Sequence, residues 1–183
     1  MEAEKAAARK AAFARRQAAH EMDRGAASGA LSEVLAGYRG VPLSGYLPIR
    51  TEIDPRPAMA EAAAHGIVGV PVIQAKGEPL LFATWTPEGT LVPGPFGAEV
   101  PEVIRPMVPQ ILIVPLVAFD RKGGRLGYGG GFYDRTLEGL RANGPVMAIG
   151  FAYAAQEAEG LPLEPTDQPL DLIVTERGVI EVG

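Results

Sequence analysis

Seventeen residues, Phe119 to Arg135, concentrate the chemistry of this chain: they hold six glycines together with Asp120, Arg121, Lys122, Arg125, Tyr128, Tyr133 and Asp134. Glycines let a backbone turn tightly and aim several N–H groups at one anion, and a helix that follows adds its positive end. Arg125, with Lys122 nearby, would bring full charge to the same oxygens. The standard patterns do not fit. No Lys-Ser or Lys-Thr pair follows the glycines, and a Gly-x-Gly-x-x-Gly reading from Gly127 meets Phe132 at its last position. A ligand-free surface loop is the duller alternative, although three consecutive glycines beside Arg and Asp are hard to justify as filler. The chemistry implied is phosphate binding, of no standard class.

The flanking elements must place this loop. Ile111 to Phe119 is apolar throughout, as a central parallel strand would be, and Phe132 to Ala142 has helical character. The loop therefore falls at the carboxyl edge of a sheet, where open α/β folds bind ligands. Upstream, Glu2 to Asp23 lacks Gly and Pro and is dominated by Ala, which predicts a helix. At about 100° per residue, its Lys5, Arg9, Arg16 and His20 share one narrow face. Further helices are expected over Ser28 to Ala36 and Pro57 to His65. Strands are expected over Val41 to Leu47, Ile67 to Ile73, Leu80 to Trp85, Val146 to Ala152, Leu170 to Thr175 and Val179 to Val182. Pro87 to Pro109 reads as a long ordered loop with a functional reason to exist. The pattern predicts one α/β domain over residues 1–183, of three-layer type, with a largely parallel central sheet flanked by helices.

Composition narrows the function. With 47% hydrophobic residues the chain is no disordered tract, despite 23 Gly and 17 Pro. The absence of Cys excludes disulfides, thiolate metal sites and a cysteine nucleophile, and it fits a reducing compartment. His20 and His65, the two histidines, are expected at the surface and are too few for a multi-histidine metal site. A net charge of -5 disfavours sequence-independent nucleic-acid binding. Residues 1 to 24 nevertheless carry six bases against four acids, which suits a small anionic ligand. They lack the apolar stretch of a secretory signal and hold four acids that a mitochondrial presequence would avoid. The longest apolar run is too short to span a bilayer. A soluble, cytoplasmic protein is expected, without membrane or obligate protein partners.

The run Val114-Pro115, Ala118-Phe119-Asp120 and Arg125-Leu126-Gly127-Tyr128-Gly129-Gly130-Gly131-Phe132-Tyr133-Asp134 closely resembles the signature of the 5-formyltetrahydrofolate cyclo-ligase family, also called methenyltetrahydrofolate synthetases. Lys5-x-x-x-Arg9 resembles its N-terminal basic pair, and Glu52 after Tyr46-Leu47 its substrate glutamate. Trp85 resembles an aromatic before its Pro/Gly loop, and Asp167 precedes Leu170 to Thr175 as in its closing motif. The likeness extends over nearly the whole chain.

The resemblance implies ATP- and Mg²⁺-dependent closure of 5-formyltetrahydrofolate to 5,10-methenyltetrahydrofolate. A formamide is a poor electrophile, so the γ-phosphoryl group would first pass to the formyl oxygen, and N10 would then attack. Positioning and charge stabilisation would suffice, without a covalent nucleophile. By resemblance ATP would lie on Lys5, Arg9 and Arg125 through Tyr133, that is Arg125, Leu126, Gly127, Tyr128, Gly129, Gly130, Gly131, Phe132 and Tyr133, with Arg125 also catalytic. Folate would lie on Leu47, Glu52, Trp85, Tyr128, Gly129, Gly130, Gly131 and Phe132. Asp134 and Asp167 would hold Mg²⁺, with Asp171 ranked below them.

Each of these residues also fits a plainer role: a solvated face for Lys5 and Arg9, helix-end charge for Asp134, a turn for Asp167, core packing for Trp85 and Tyr133. The family often shows Gly-x-x-Glu-Pro after the aromatic, whereas Gly97-Ala98-Glu99-Val100-Pro101 separates Glu99 from its proline, so no function is carried to Glu99. Two other readings stand beside the ligase. One is a non-catalytic folate- or nucleotide-binding module. The other is a sugar-phosphate isomerase, with Asp120 or Asp134 as the base.

Overall fold

The structure is a computed structural model and describes residues 1–182, so the last position of the expected 1–183 domain lies outside the described residues. The Ala-rich opening forms helix α1 (Glu2–Glu21), with Glu2 and Glu4 complementing the positive end of its first turn. Then follow α2 (Ala26–Ala36), β1 (Leu43–Ser44), α3 (Arg56–Ala63), β2 (Val68–Ile73) and β3 (Leu80–Thr84). After β4 (Leu91–Pro93) and β5 (Glu99–Pro101) come β6 (Ile111–Val114), β7 (Ala118–Phe119), β8 (Arg125–Leu126) and α4 (Phe132–Ala142). The chain closes with β9 (Met147–Phe151), β10 (Leu172–Thr175) and β11 (Gly178–Glu181).

Seven strands form one sheet in the order β11-β10-β9-β6-β1-β2-β3. The five inner strands are parallel, and both edges are capped by antiparallel partners, β11 on β10 and β3 on β2. This is the expected α/β arrangement. The continuous apolar run of β6 has a two-sided cause. Ile111 and Ile113 enter a core under α2 and α3, whereas Leu112 and Val114 enter a second core under α4. Each such fully buried side chain contributes about 2 kcal/mol, which makes β6 the centre of both layers.

Two expected strands are shorter than their sequence pattern. Val41 to Leu47 pairs only at β1, and Ile111 to Phe119 divides after Val114. The next residue, Pro115, has no N–H to continue a ladder. Beyond it, β7 leaves the sheet and pairs with β8 in a separate antiparallel ribbon. The segment 87–109 is ordered but is not only loop, since β4 and β5 form a hairpin with Leu91 opposite Pro101. Prolines inside both strands hid them.

The β7–β8 ribbon explains how α1 is held. Ala12 of α1 packs with Val117, Ala118 and Leu126 in a third, small core. That contact turns the basic face of α1 toward the segment after β8: Lys5 is buried, and Arg16 is 0% exposed. A solvated face, the plainer expectation for these residues, is not what forms. His20 and His65 are exposed as expected. No helix among the described residues is long and apolar enough to cross a membrane.

Candidate active site

The carboxyl ends of β1, β2 and β6 open into a cavity of about 490 Å³, walled on its other sides by α1, the glycine segment and the 164–167 turn. Sheet geometry produces this opening. The three strands end at Ser44, Ile73 and Val114, and residues at and just beyond those ends line the crevice.

The glycine segment connects β8 to α4. Gly129 and Gly131 have φ of +102° and +69°, conformations that side chains with a Cβ resist. Gly131 is the residue that caps α4, so the unpaired N–H groups of that helix's first turn follow directly on the glycines. Arg9 locks the segment from the α1 side, its Nε donating to the Gly127 carbonyl at 2.8 Å. The Arg9 Nη1 meets Glu2 Oε1 at 3.0 Å.

Three carboxylates and two cations pair at this end. Arg125 Nη2 donates to Asp134 Oδ1 at 2.6 Å, and the Gln168 N–H reaches the same oxygen at 2.8 Å. Lys5 Nζ lies 3.0 Å from Asp167 Oδ2 and 2.9 Å from Glu164 Oε1. Burial works against both cations. For Arg125 it lowers the pKa, opposed by Asp134, Tyr133 and Asp167. For Lys5 burial is outweighed by its hydrogen bonds to Glu164 and Asp167, and the net pKa is raised. Buried Arg125 Nε has no hydrogen-bond partner among the described residues, which leaves one donor for a ligand oxygen.

The carboxylates also bear on metal binding. Among the described residues no group of three or more His, Asp or Glu is disposed to hold a metal. Magnesium bound with phosphate needs only one or two carboxylates. The contacts to Asp134 fall on Oδ1 and those to Asp167 on Oδ2, so each keeps one oxygen that accepts no hydrogen bond from a described residue. This donor set fits Mg²⁺.

The opposite end is built around Glu52, which is 5% exposed. Its Oε1 accepts from the Ile49 N–H at 2.9 Å and its Oε2 from the Tyr128 hydroxyl at 2.9 Å. Burial pushes the Glu52 pKa up, and those two hydrogen bonds with the charges of Arg16 and Arg50 partly offset it. Tyr46 lies alongside, its hydroxyl donating to the Ile53 carbonyl at 2.6 Å. Tyr133 lies in electrostatic reach of both ends of the cavity, Glu52 and Arg125. Burial, then Glu52, pushes its pKa far up, so the hydroxyl stays neutral, and it has no partner among the described residues.

Of the expected site residues, Lys5, Arg9, Leu47, Glu52, Arg125 through Asp134 and Asp167 all line this one cavity. Trp85 does not. It is buried in the core with Val68 and Met59 and is absent from the cavity lining, which agrees with the core-packing role. Asp120 is also elsewhere, its Oδ1 accepting from the Lys122 and Gly124 N–H groups in the β7–β8 turn. Tyr46, Glu164 and Arg135 line the cavity without having been singled out from sequence.

The sequence matches the model of the 5-formyltetrahydrofolate cyclo-ligase family over residues 1–176. The chain belongs to this family. A relative named 5-formyltetrahydrofolate cyclo-ligase from Haemophilus influenzae is 44% identical over 101 residues, 52% of this chain and about half the length (54%) of that protein. The Escherichia coli protein of the same name is 36% identical over 143 residues, 74% of this chain and 78% of its own. The NMR structure of Aquifex aeolicus 5,10-methenyltetrahydrofolate synthetase superposes with a TM-score of 0.78 at 27% identity, covering 97% of this cyclo-ligase family chain and 92% of that one.

Proposed function

We propose that this chain converts 5-formyltetrahydrofolate to 5,10-methenyltetrahydrofolate, with ATP as phosphoryl donor and Mg²⁺ as cofactor, in the cytoplasm. The observation that carries the reading is the continuity of the cavity. A buried carboxylate suited to the donor edge of a pterin and a cationic glycine segment suited to phosphate share one enclosure of about 490 Å³.

The steps follow from that placement. Glu52, already held by Ile49 and Tyr128, accepts N–H groups of the pterin, and Leu47 and Phe132 pack on its faces. The glycine N–H groups and the start of α4 receive the ATP phosphates. The formyl oxygen attacks the γ-phosphorus and the bond to ADP breaks, leaving an O-phosphorylated iminium. N10 adds to the iminium carbon and loses its proton, and the carbon–oxygen bond then breaks to release inorganic phosphate. Arg125 stabilises the charge spread over the transferring group, and Lys5 and Arg9 hold the nucleotide from α1. When bound, Mg²⁺ neutralises phosphate charge, with Asp134 and Asp167 as its protein ligands.

The test is direct. Purified protein with 5-formyltetrahydrofolate, ATP and Mg²⁺ is expected to generate the methenyl chromophore with one ADP and one phosphate per product. Omitting ATP or adding a chelator is expected to abolish it. Ligand-induced thermal stabilisation without turnover would instead support a binding module, and ATP-independent chemistry an isomerase.

A further inference from the structure

A fully buried cation on α1 has no part in the steps above. Arg16 is 0% exposed, and its Nε donates to Thr51 Oγ1 at 3.0 Å. Its Nη1 donates to the Tyr128 hydroxyl at 2.8 Å and reaches the Leu116 carbonyl at 3.4 Å. The Phe13 and Tyr128 rings lie under the guanidinium at 5.1 and 5.6 Å. Isolating an arginine from water is expensive, so this set of partners is a specific use of the charge. We propose that Arg16 is a positioning residue for folate, acting through the Tyr128 hydroxyl to fix the orientation and charge of Glu52.

The direction of the relay is determined by its donors. A guanidinium can only donate, so the Tyr128 oxygen accepts from Arg16. The phenol has one proton, kept because burial and Glu52 push its pKa far up, and it goes to Glu52 Oε2. Arg16, Tyr128 and Glu52 thus form a chain of two hydrogen bonds in one sense. The groups facing Glu52 from surrounding elements are Arg16, Arg50, Tyr46, Tyr128 and Tyr133. Only the two arginines are cations, and of these Arg50 is solvent-exposed, so Arg16 is the one whose charge acts from the dry side.

The relay also separates the two ligands on one helix. Lys5 and Arg9 of α1 face the nucleotide end, whereas Arg16, two turns beyond Arg9, serves the folate end. A merely structural Arg16, one that only docks α1, would disturb Lys5 and Arg9 as well and raise KM for ATP. A positioning Arg16 raises KM for folate selectively.

The proposal rests on the folate reading, and the experiment keeps the two apart. Arg16→Gln, Arg16→Lys and Tyr128→Phe are compared with wild type for KM of both substrates and for the acid limb of kcat/KM for folate. Loss of a charge-assisted hydrogen bond is expected to raise folate KM about tenfold to a hundredfold in Arg16→Gln, with ATP KM within about threefold. The acid limb should move to higher pH in Arg16→Gln and Tyr128→Phe, because each removes an influence that holds the Glu52 pKa down. Arg16→Lys should return the limb toward wild type. Carboxyl ¹³C titration, with Glu52 assigned from Glu52→Gln, reads the same shift without turnover. An unmoved Glu52 midpoint in Arg16→Gln, or equal rises in both KM values, overturns the role of Arg16. A wild-type protein inactive on folate overturns the functional reading instead. Tyr128→Phe keeps the relay testable should Arg16→Gln fail to fold.

Discussion

Arg125→Ala separates chemistry from stability more sharply than any other single change. Arg125 is 6% exposed, and its guanidinium donates at 2.6 Å to Asp134 Oδ1. Truncation removes one charge-assisted hydrogen bond, about 1.5–3 kcal/mol. The loss is limited from two directions. Asp134 keeps the Gln168 N–H and a side chain 24% exposed to water, so no carboxylate is orphaned, and the desolvation of the arginine itself is relieved. For a chain of this size 1 kcal/mol moves Tm by about 2–4 °C, so a fall of roughly 3–10 °C is expected and the variant stays folded at 25 °C. Loss of charge stabilisation at the transferring phosphoryl group lowers kcat by about 10²–10³, equivalent to roughly 3–4 kcal/mol. Arg125→Lys keeps a charge without the planar fork and should fall between. The assay is the initial rate of methenyl formation at saturating ATP and folate, beside a thermal melt of the same preparation. A kcat within threefold of wild type, with Tm lowered as expected, would remove Arg125 from the chemistry.

Glu52 gives a pH-dependent stability. Its folded pKa is raised above the ordinary 4.5, so over a window that starts near that value the folded protein holds a proton the unfolded chain has lost. Stability is therefore greatest below the window and falls as pH rises through the folded pKa. Urea melts from pH 4.5 to 8 should show that fall in wild type and a flatter profile in Glu52→Gln, and identical slopes would contradict it. Gly129→Ala forces a Cβ onto a residue at φ +102°, 3.4 Å from the Arg9 guanidinium. A cost of about 1–3 kcal/mol and an increase in KM for ATP are expected, and an unchanged KM would mean that the segment does not shape the nucleotide site.

Much of the site was legible because its signal was local. Glycines crowded between an apolar strand and a helix mark the segment that lines the cavity, and α4 begins and ends where its sequence says. Lys5 and Arg9 share a helical face because four residues make one turn. What stayed hidden depends on distant partners. Arg16 meets residues 35, 100 and 112 positions away, so its spacing on α1 shows a basic face but not a buried relay. Trp85 reads the same whether it walls a pocket or fills a core, and only its distant neighbours, Val68 and Met59 among them, decide. The pairing of Asp134 with Arg125 was equally invisible, since they stand nine positions apart across a glycine turn. The β4–β5 hairpin was masked by Pro93 and Pro101, which belong to a poor strand by propensity yet sit where their missing N–H groups are tolerated.

In the proposed reaction the formyl oxygen leaves on phosphate. Substrate labelled with ¹⁸O in the formyl group, turned over with ATP and Mg²⁺, reads this in one experiment by mass analysis of the released phosphate. One formyl ¹⁸O is expected in each inorganic phosphate formed, with no label transfer without ATP. Methenyl product accompanied by unlabelled phosphate, with the ¹⁸O recovered in water, would contradict it.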